Sequence, residues 1–157
     1  MLDDIDRTIL GLVQDNARIS NRDIAREVGL APSATLERVR KLEREAVIQG
    51  WQAKLDPGQV GLGLLAFVLV RTDEPTSELC TGDKLAAIDE VQEVHHVAGE
   101  DCYLIKVRAA GTSELGLLLR ERLGSIDTVT GTRTIIVLDT VKETGHLPLS
   151  EVSHDDD

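Results

Sequence analysis

Four basic residues, Arg38, Arg40, Lys41 and Arg44, fall within seven positions of one predicted helix, and such a cluster suits phosphate groups on a nucleic-acid backbone. Ser33, Thr35 and Arg38 stand toward the start of that helix, where a reading helix offers side chains to base edges. Arg22, Arg40, Lys41 and Arg44 are the expected phosphate contacts, with Ser20 and Asn21 as donors at the start of the preceding helix. Two competing arrangements exist within the chain. Arg44 has Glu37, Glu43 and Glu45 on its own helix as partners, and Arg38 could close an intramolecular bridge.

The elements that must hold these side chains lie between Ile19 and Ile48. Ser20 is placed to cap a helix over about residues 21–28, with Ile19 and Ile24 as a hydrophobic staple. Gly29 follows the last periodic residue and suits the left-handed conformation that closes a helix. Pro32 suits the first position of the next helix, and Leu36, Val39 and Leu42 form its expected apolar face. Helix, glycine turn and basic helix make a helix-turn-helix, a shape that fits a DNA major groove. Ahead of it, Ile5, Ile9, Leu12 and Val13 predict a first helix over about residues 4–14, capped by Asp3 or Asp4.

The charge is divided unevenly. The whole chain of 157 residues carries a net −11, an unusual balance for a DNA binder. Residues 1–50 hold 8 basic and 9 acidic side chains, so the acidity belongs to the remainder. Five lysines against 12 arginines, with many acids, suggest the composition of proteins from a salt-rich cytoplasm. Cys80 and Cys102 form no C-x-x-C pair, and no signal peptide or apolar run of membrane length is present. A reduced cytoplasmic setting is the expectation, with Cys102 packed as a thiol in a strand and a disulfide to Cys80 as the alternative left open. His95 and His96 are adjacent on a strand and therefore point to opposite faces, which excludes a chelating pair, and His146 and His154 lie in or beside the tail. No metal site and no catalytic residue is assigned.

Beyond the third helix, Trp51, Ala53 and Leu55 alternate with polar residues as a short strand, expected to pair with another chain or to serve as the wing. The remainder reads as a strand from Leu62 to Val70, a helix near 82–89, strands near 92–98 and 102–109, a helix near 113–123, and a last strand near 128–141. Strand, helix, strand, strand, helix, strand is the split βαβ arrangement, with both helices on one face of an antiparallel sheet. The first and last strands are apolar on both faces, so a second copy of the chain is expected to cover the other face. The resulting fold class is α+β. A winged helix-turn-helix (1–50) is joined by a strand linker (51–62) to a ferredoxin-like βαββαβ domain (63–142), and a mobile acidic tail (143–157) follows.

Several segments in this order resemble the Lrp/AsnC family of bacterial and archaeal transcription regulators, the feast/famine proteins. They are LDDIDRTIL at 2–10, ARIS at 17–20, RVRKLE at 38–43, VIQGWQAKLDP at 47–57, VAGEDCYLIKV at 97–107 and TRTIIVL at 132–138. The resemblance implies a sequence-specific regulator of metabolic genes that binds double-stranded DNA as a homodimer and assembles to octamers or other multiples. It departs at two positions, Ala31 where the family usually has a capping Ser and Ala46 where it usually has Gly. No cofactor is implied.

The resemblance also places an effector loop at Gly99, Glu100 and Asp101, where small amino acids bind between subunits. Gly99 would let backbone amides approach a ligand carboxylate, and Asp101 would take its ammonium group. Tyr103 belongs to the same implied set, and Thr132 and Thr134 would add hydroxyls. The competing arrangement is a plain β-turn with solvated acids. Sirohaem-decarboxylase-like enzymes share the two-domain resemblance and would use His95 or His96 at a tetrapyrrole; the basic helix favours the regulator. A third class is a co-regulator that only hetero-oligomerises through its sheet.

Overall fold

The computed structural model describes residues 2–73 and 81–149. The chain divides into two compact units, one of residues 1–54 together with those from Glu143 onward, the other of residues 55–142. The expectations for Cys80 and His154 lie outside the described residues.

The first unit is built on α1 (Asp4–Asp15), α2 (Asn21–Val28) and α3 (Pro32–Arg44). Asp3 caps α1 in a reciprocal box with Asp6, each carboxylate accepting from the other residue's backbone N–H. Ser20 caps α2 by accepting from the Asp23 N–H, and Gly29 closes it at φ 67°. The apolar faces meet in a core of Ile9, Leu10, Val13, Ile24 and Leu42. On α3 the inward face runs through Thr35, Val39 and Leu42, not through Leu36: Thr35 is 0% exposed and Leu36 is 37% exposed. The stripe expected from Leu36 is therefore corrected by one position. Spacings of four and three from 35 to 39 to 42 follow one helix face, and the short threonine fits where α3 comes close to its neighbours.

Residues 51–55 run exposed and form no ladder within the described chain, so they make no wing strand here, and pairing with another chain remains the expectation for them. One further expectation in this unit changes. The segment from Glu143 to Leu149, expected to be part of a mobile tail, lies against the first unit instead. Gln14 donates to the Leu147 carbonyl at 3.2 Å and accepts from the Leu147 N–H at 2.8 Å.

The second unit contains β1 (Leu64–Thr72), α4 (Thr81–Ala86), β2 (Val91–His96), β3 (Tyr103–Ala109), α5 (Thr112–Leu117) and β4 (Val129–Ile136). α5 runs on as a π-helical stretch, Leu118–Leu123. The strands pair antiparallel in the order β2-β3-β1-β4. That is the βαββαβ architecture expected. Ala66, Val68, Val70, Ile105 and Val107 are buried against Leu85, Leu115, Leu118 and Leu123 of the helices. Strand alternation sends Phe67, Leu69, Leu104 and Ile135 to the other face, where Ile135 is half exposed. Beside them Lys106 reaches Glu93 at 3.1 Å. Burial pushes the Glu93 carboxyl up, but hydrogen bonds from Lys106 and His95 outweigh it and leave the group below its ordinary value.

Candidate functional site

The outer surface of α3 presents Ser33, Arg40, Lys41 and Arg44, all exposed. Arg40 lies 3.3 Å from Glu37 and Lys41 3.9 Å from Glu45, both solvent-exposed pairs that hold little energy. Among the described residues Arg44 and Arg22 form no ion pair, so the competing pairing of Arg44 with Glu37, Glu43 or Glu45 is not found. These four cations stand at the surface, where phosphates could reach them.

Two proposed base readers sit elsewhere. Thr35 is fully buried, and its hydroxyl donates to the Ala31 carbonyl at 3.2 Å, so it has no surface to offer a base. Arg38 points inward, because it follows Thr35 by three positions and precedes Leu42 by four. Its Nη1 lies 2.7 Å from Asp3 Oδ2 and 2.7 Å from Asp6 Oδ1, which pins the middle of α3 to the first turn of α1. The competing intramolecular bridge is the arrangement found. The N–H of Asp6 and then Arg38 hold the Asp3 carboxyl below its usual value, while hydrogen bonds to Asp3 and then Asp6 raise that of Arg38.

Ser20 is occupied as the α2 cap. Asn21 donates from Nδ2 to the Pro32 carbonyl at 2.7 Å, tying the first residue of α2 to the first of α3. Its amide keeps a second hydrogen.

In the second unit a cleft of about 320 Å³ is lined by Arg71, Glu100, Asp101, Gly131, Thr132 and Arg133. The chain reaches it through Gly99, whose φ of 133° favours glycine. Asp101, 19% exposed, lies 3.2 Å from Arg133 and 3.6 Å from Arg71, which also approaches the open Glu100 at 3.5 Å. The fold thus brings Glu100, Asp101 and Thr132 together. Thr134 pairs with Val68 further along β4 and lies outside the cleft. Tyr103 is also outside it: it is buried on the helix side, its ring 5.3 Å from that of His96 and close to Gly82. Alternation along β3 decides this, since Tyr103 shares the face of Ile105 and Val107.

Arg71 and Arg133 were missed by reading the sequence for loops. Their signal was a cation at the end of one apolar strand run, LLAFVLV, and another inside TRTII. Both strands place their arginine on the face that the helices leave open.

A helix-turn-helix whose outer face is polar and basic, in one chain with a βαββαβ unit holding a charged cleft, defines the class of ligand-responsive DNA-binding regulator. The chain belongs to the Lrp/AsnC family: residues 65–147 match the Lrp/AsnC ligand-binding domain and residues 2–43 the AsnC-type helix-turn-helix domain. It is 39% identical over 148 residues to the leucine-responsive regulatory protein of Escherichia coli K12, covering 93% of this chain and 90% of that one. A Neisseria meningitidis transcriptional regulator in complex with L-Met superposes with a TM-score of 0.88 at 29% identity, covering 95% of this chain and 97% of the other. A feast or famine regulatory protein of Mycobacterium tuberculosis, complexed with L-methionine, gives 0.86 at 35% identity, with 94% and 100% covered. These relatives are transcription regulators and not enzymes, and the decarboxylase alternative built on His95 or His96 has no support among them.

Proposed function

We propose that this protein is a cytoplasmic homodimeric regulator that binds double-stranded DNA through the outer face of α3 and responds to an amino acid held at the Asp101 cleft. The observation that carries the reading is the division of labour on α3. Its inner face is fixed by Arg38, and its outer face leaves Ser33, Arg40, Lys41 and Arg44 accessible. Ser33 is the side chain nearest the helix start with a hydroxyl for a base edge, while Arg40, Lys41, Arg44 and Arg22 take phosphates. No helix among the described residues is long and apolar enough to cross a membrane.

Dimerisation is supported by the open sheet face, where Phe67, Leu69, Leu104 and Ile135 await cover, and by residues 51–55, which need a partner strand. Dimers of this kind would assemble further, to octamers or other multiples. Leu69→Asp on that face should give monomers by light scattering and abolish tight operator binding, because two linked reading helices bind together. Val68 faces the helix-side core and is not the position to test.

For the ligand, Asp101 offers a carboxylate to an ammonium group, and Arg71 and Arg133 supply cations for a carboxylate. The L-methionine complexes of two relatives make apolar amino acids the first to screen. The decisive experiment combines a gel shift on genomic fragments recovered by immunoprecipitation with a thermal-shift screen of the twenty amino acids. A ligand that selects the folded state raises the melting temperature, and Asp101→Ala should remove that rise while leaving basal DNA binding intact. Lys41→Ala should weaken all sequences alike and lower the salt slope by about one. Absence of any DNA shift would overturn the regulator reading, and an unaltered response in Asp101→Ala would overturn the cleft.

A further inference from the structure

Within the first unit, residues 143–149 close one side of a groove on α1: Gly145, Leu147 and Leu149 line a cleft of about 760 Å³ whose other walls come from α1 and from the residues that leave α3. Leu10, Val13 and Gln14 form one wall, and Val47, Ile48 and Trp51 another. Gln14 reads the backbone of Leu147 at two points, donating to its carbonyl and accepting from its N–H, as a strand neighbour would. Leu149 packs on the core of the unit. At the other end Lys54 donates to the Glu143 carbonyl at 3.4 Å, and His146 Nδ1 stands 3.6 Å from Asp15.

The segment is shaped for this before it docks. The His146 N–H is held by the Thr144 hydroxyl at 3.1 Å in a local turn, and Pro148 fixes its own φ, so less freedom is lost on seating. Yet the fastening is light. Leu147 keeps 69% of its surface exposed, and the polar links are exposed to solvent. A segment with few buried apolar groups and solvent-exposed hydrogen bonds sits at the low end of local stability.

We propose that residues 143–149 are a detachable strap, and that seating it on the α1 groove raises operator affinity by fixing the exit from the reading helix. The exit needs such help, since Ala46 there holds φ 55°, a conformation that costs a residue with a Cβ. The strap also follows β4 in the chain, and Thr132 and Arg133 of the cleft lie about ten residues upstream of it. Resting on the reading of that cleft as the effector site, the strap is one of two covalent routes, with the chain at 54–55, by which occupancy there would reach the DNA-binding unit.

The test uses Trp51, the chain's single tryptophan, which lines the groove and donates to Glu43 at 3.0 Å. Full-length Gln14→Ala should shift Trp51 emission to the red, speed hydrogen exchange at the Leu147 amide about tenfold and weaken operator binding about fivefold, all without any amino acid present. A chain ending at Lys142 should show the same losses. A synthetic peptide of residues 143–149 added to it should restore emission and affinity, and should fail to do so when the chain also carries Gln14→Ala.

Unchanged exchange at Leu147 in Gln14→Ala would remove the strap. Altered exchange with unchanged operator binding would overturn its regulatory role. Because these arms contain no effector, their failure is separate from failure of the cleft, which the amino-acid response of Asp101→Ala reads.

Discussion

α2 is framed at both ends by its own sequence, with the Ser20 cap at its start and left-handed Gly29 at its close. α3, its partner in the motif, is framed at neither. Ala31 stands at its N-cap with no side-chain hydrogen bond. At the other end the Val47 N–H returns to the Leu42 carbonyl at 2.9 Å and the Ala46 N–H to that of Glu43 at 3.0 Å, the closure that normally contains glycine. Alanine occupies the left-handed position instead. What holds α3 is tertiary: Arg38 to Asp3 and Asp6 at its middle, and Asn21 to the Pro32 carbonyl at its start. The helix proposed to meet DNA is oriented by α1 and α2 and only weakly by its own ends, which leaves its outer face available.

The largest effect should come from cutting the central clamp. Arg38→Met keeps the length and leaves Asp6, 4% exposed, with no cation beside it. An uncompensated buried carboxylate is among the most destabilising single changes, so this variant should show the greatest fall in melting temperature of the series. Its operator affinity and its affinity for random DNA should fall together, whereas a base-reading arginine would lose operator affinity selectively. The pH dependence has a definite sign. Asp3 titrates below its unfolded value of 3.8 in the folded chain, so its contribution is present above that pH and is lost as the pH falls through the lower folded value. The share of the stability gap between wild type and Arg38→Met that Asp3 carries should therefore be flat from neutrality to about pH 4 and narrow below it, as acid denaturation curves would record.

Restoring the missing ends should act in the opposite direction and by less. Ala46→Gly relieves a left-handed Cβ and should stabilise by about 1 kcal/mol, and Ala31→Ser supplies a cap worth about the same. Denaturant midpoints would measure both. Ser20→Ala on α2 should cost about 1 kcal/mol, which would make the two helices of the motif equal and opposite in their response. If neither alanine replacement stabilises, the ends of α3 are not its weak points.

The order of elements, the split sheet and the ends of α2 were legible in the sequence because each rests on local signals: periodicity, a capping serine, a glycine in its left-handed place. The face of α3 was not. Threonine counts as polar in a pattern of apolar residues, so Thr35 was assigned outward and Leu36 inward, and Arg38 was carried outward with Thr35. The partners that fix Arg38 lie more than thirty positions away, beyond any local window. In the other unit, Gly99, Glu100 and Asp101 marked the cleft, but the arginines that surround Asp101 come from β1 and β4. Only strand register brings Arg71 and Arg133 to one place.

The smallest expected effect is the sharpest test of the corrected face. Thr35 donates its hydroxyl to the Ala31 carbonyl, which also accepts the Thr35 N–H, so the side-chain bond adds a second donor to an acceptor already served. Thr35→Val keeps the shape, removes one buried hydroxyl and leaves that carbonyl with its backbone donor. Loss of the polar group offsets loss of the weak bond, and the change in stability should stay within about 1 kcal/mol. Operator affinity and sequence preference should stay at the wild-type level, since no part of the residue reaches the surface. A base reader would behave differently: losing a hydroxyl from a base edge relaxes preference at that base pair while leaving random DNA unaffected. Selection from a randomised operator library, run in parallel on wild type and Thr35→Val, separates the two. A relaxed position in the variant's consensus would return Thr35 to the DNA and turn α3 by one residue from the face described for it.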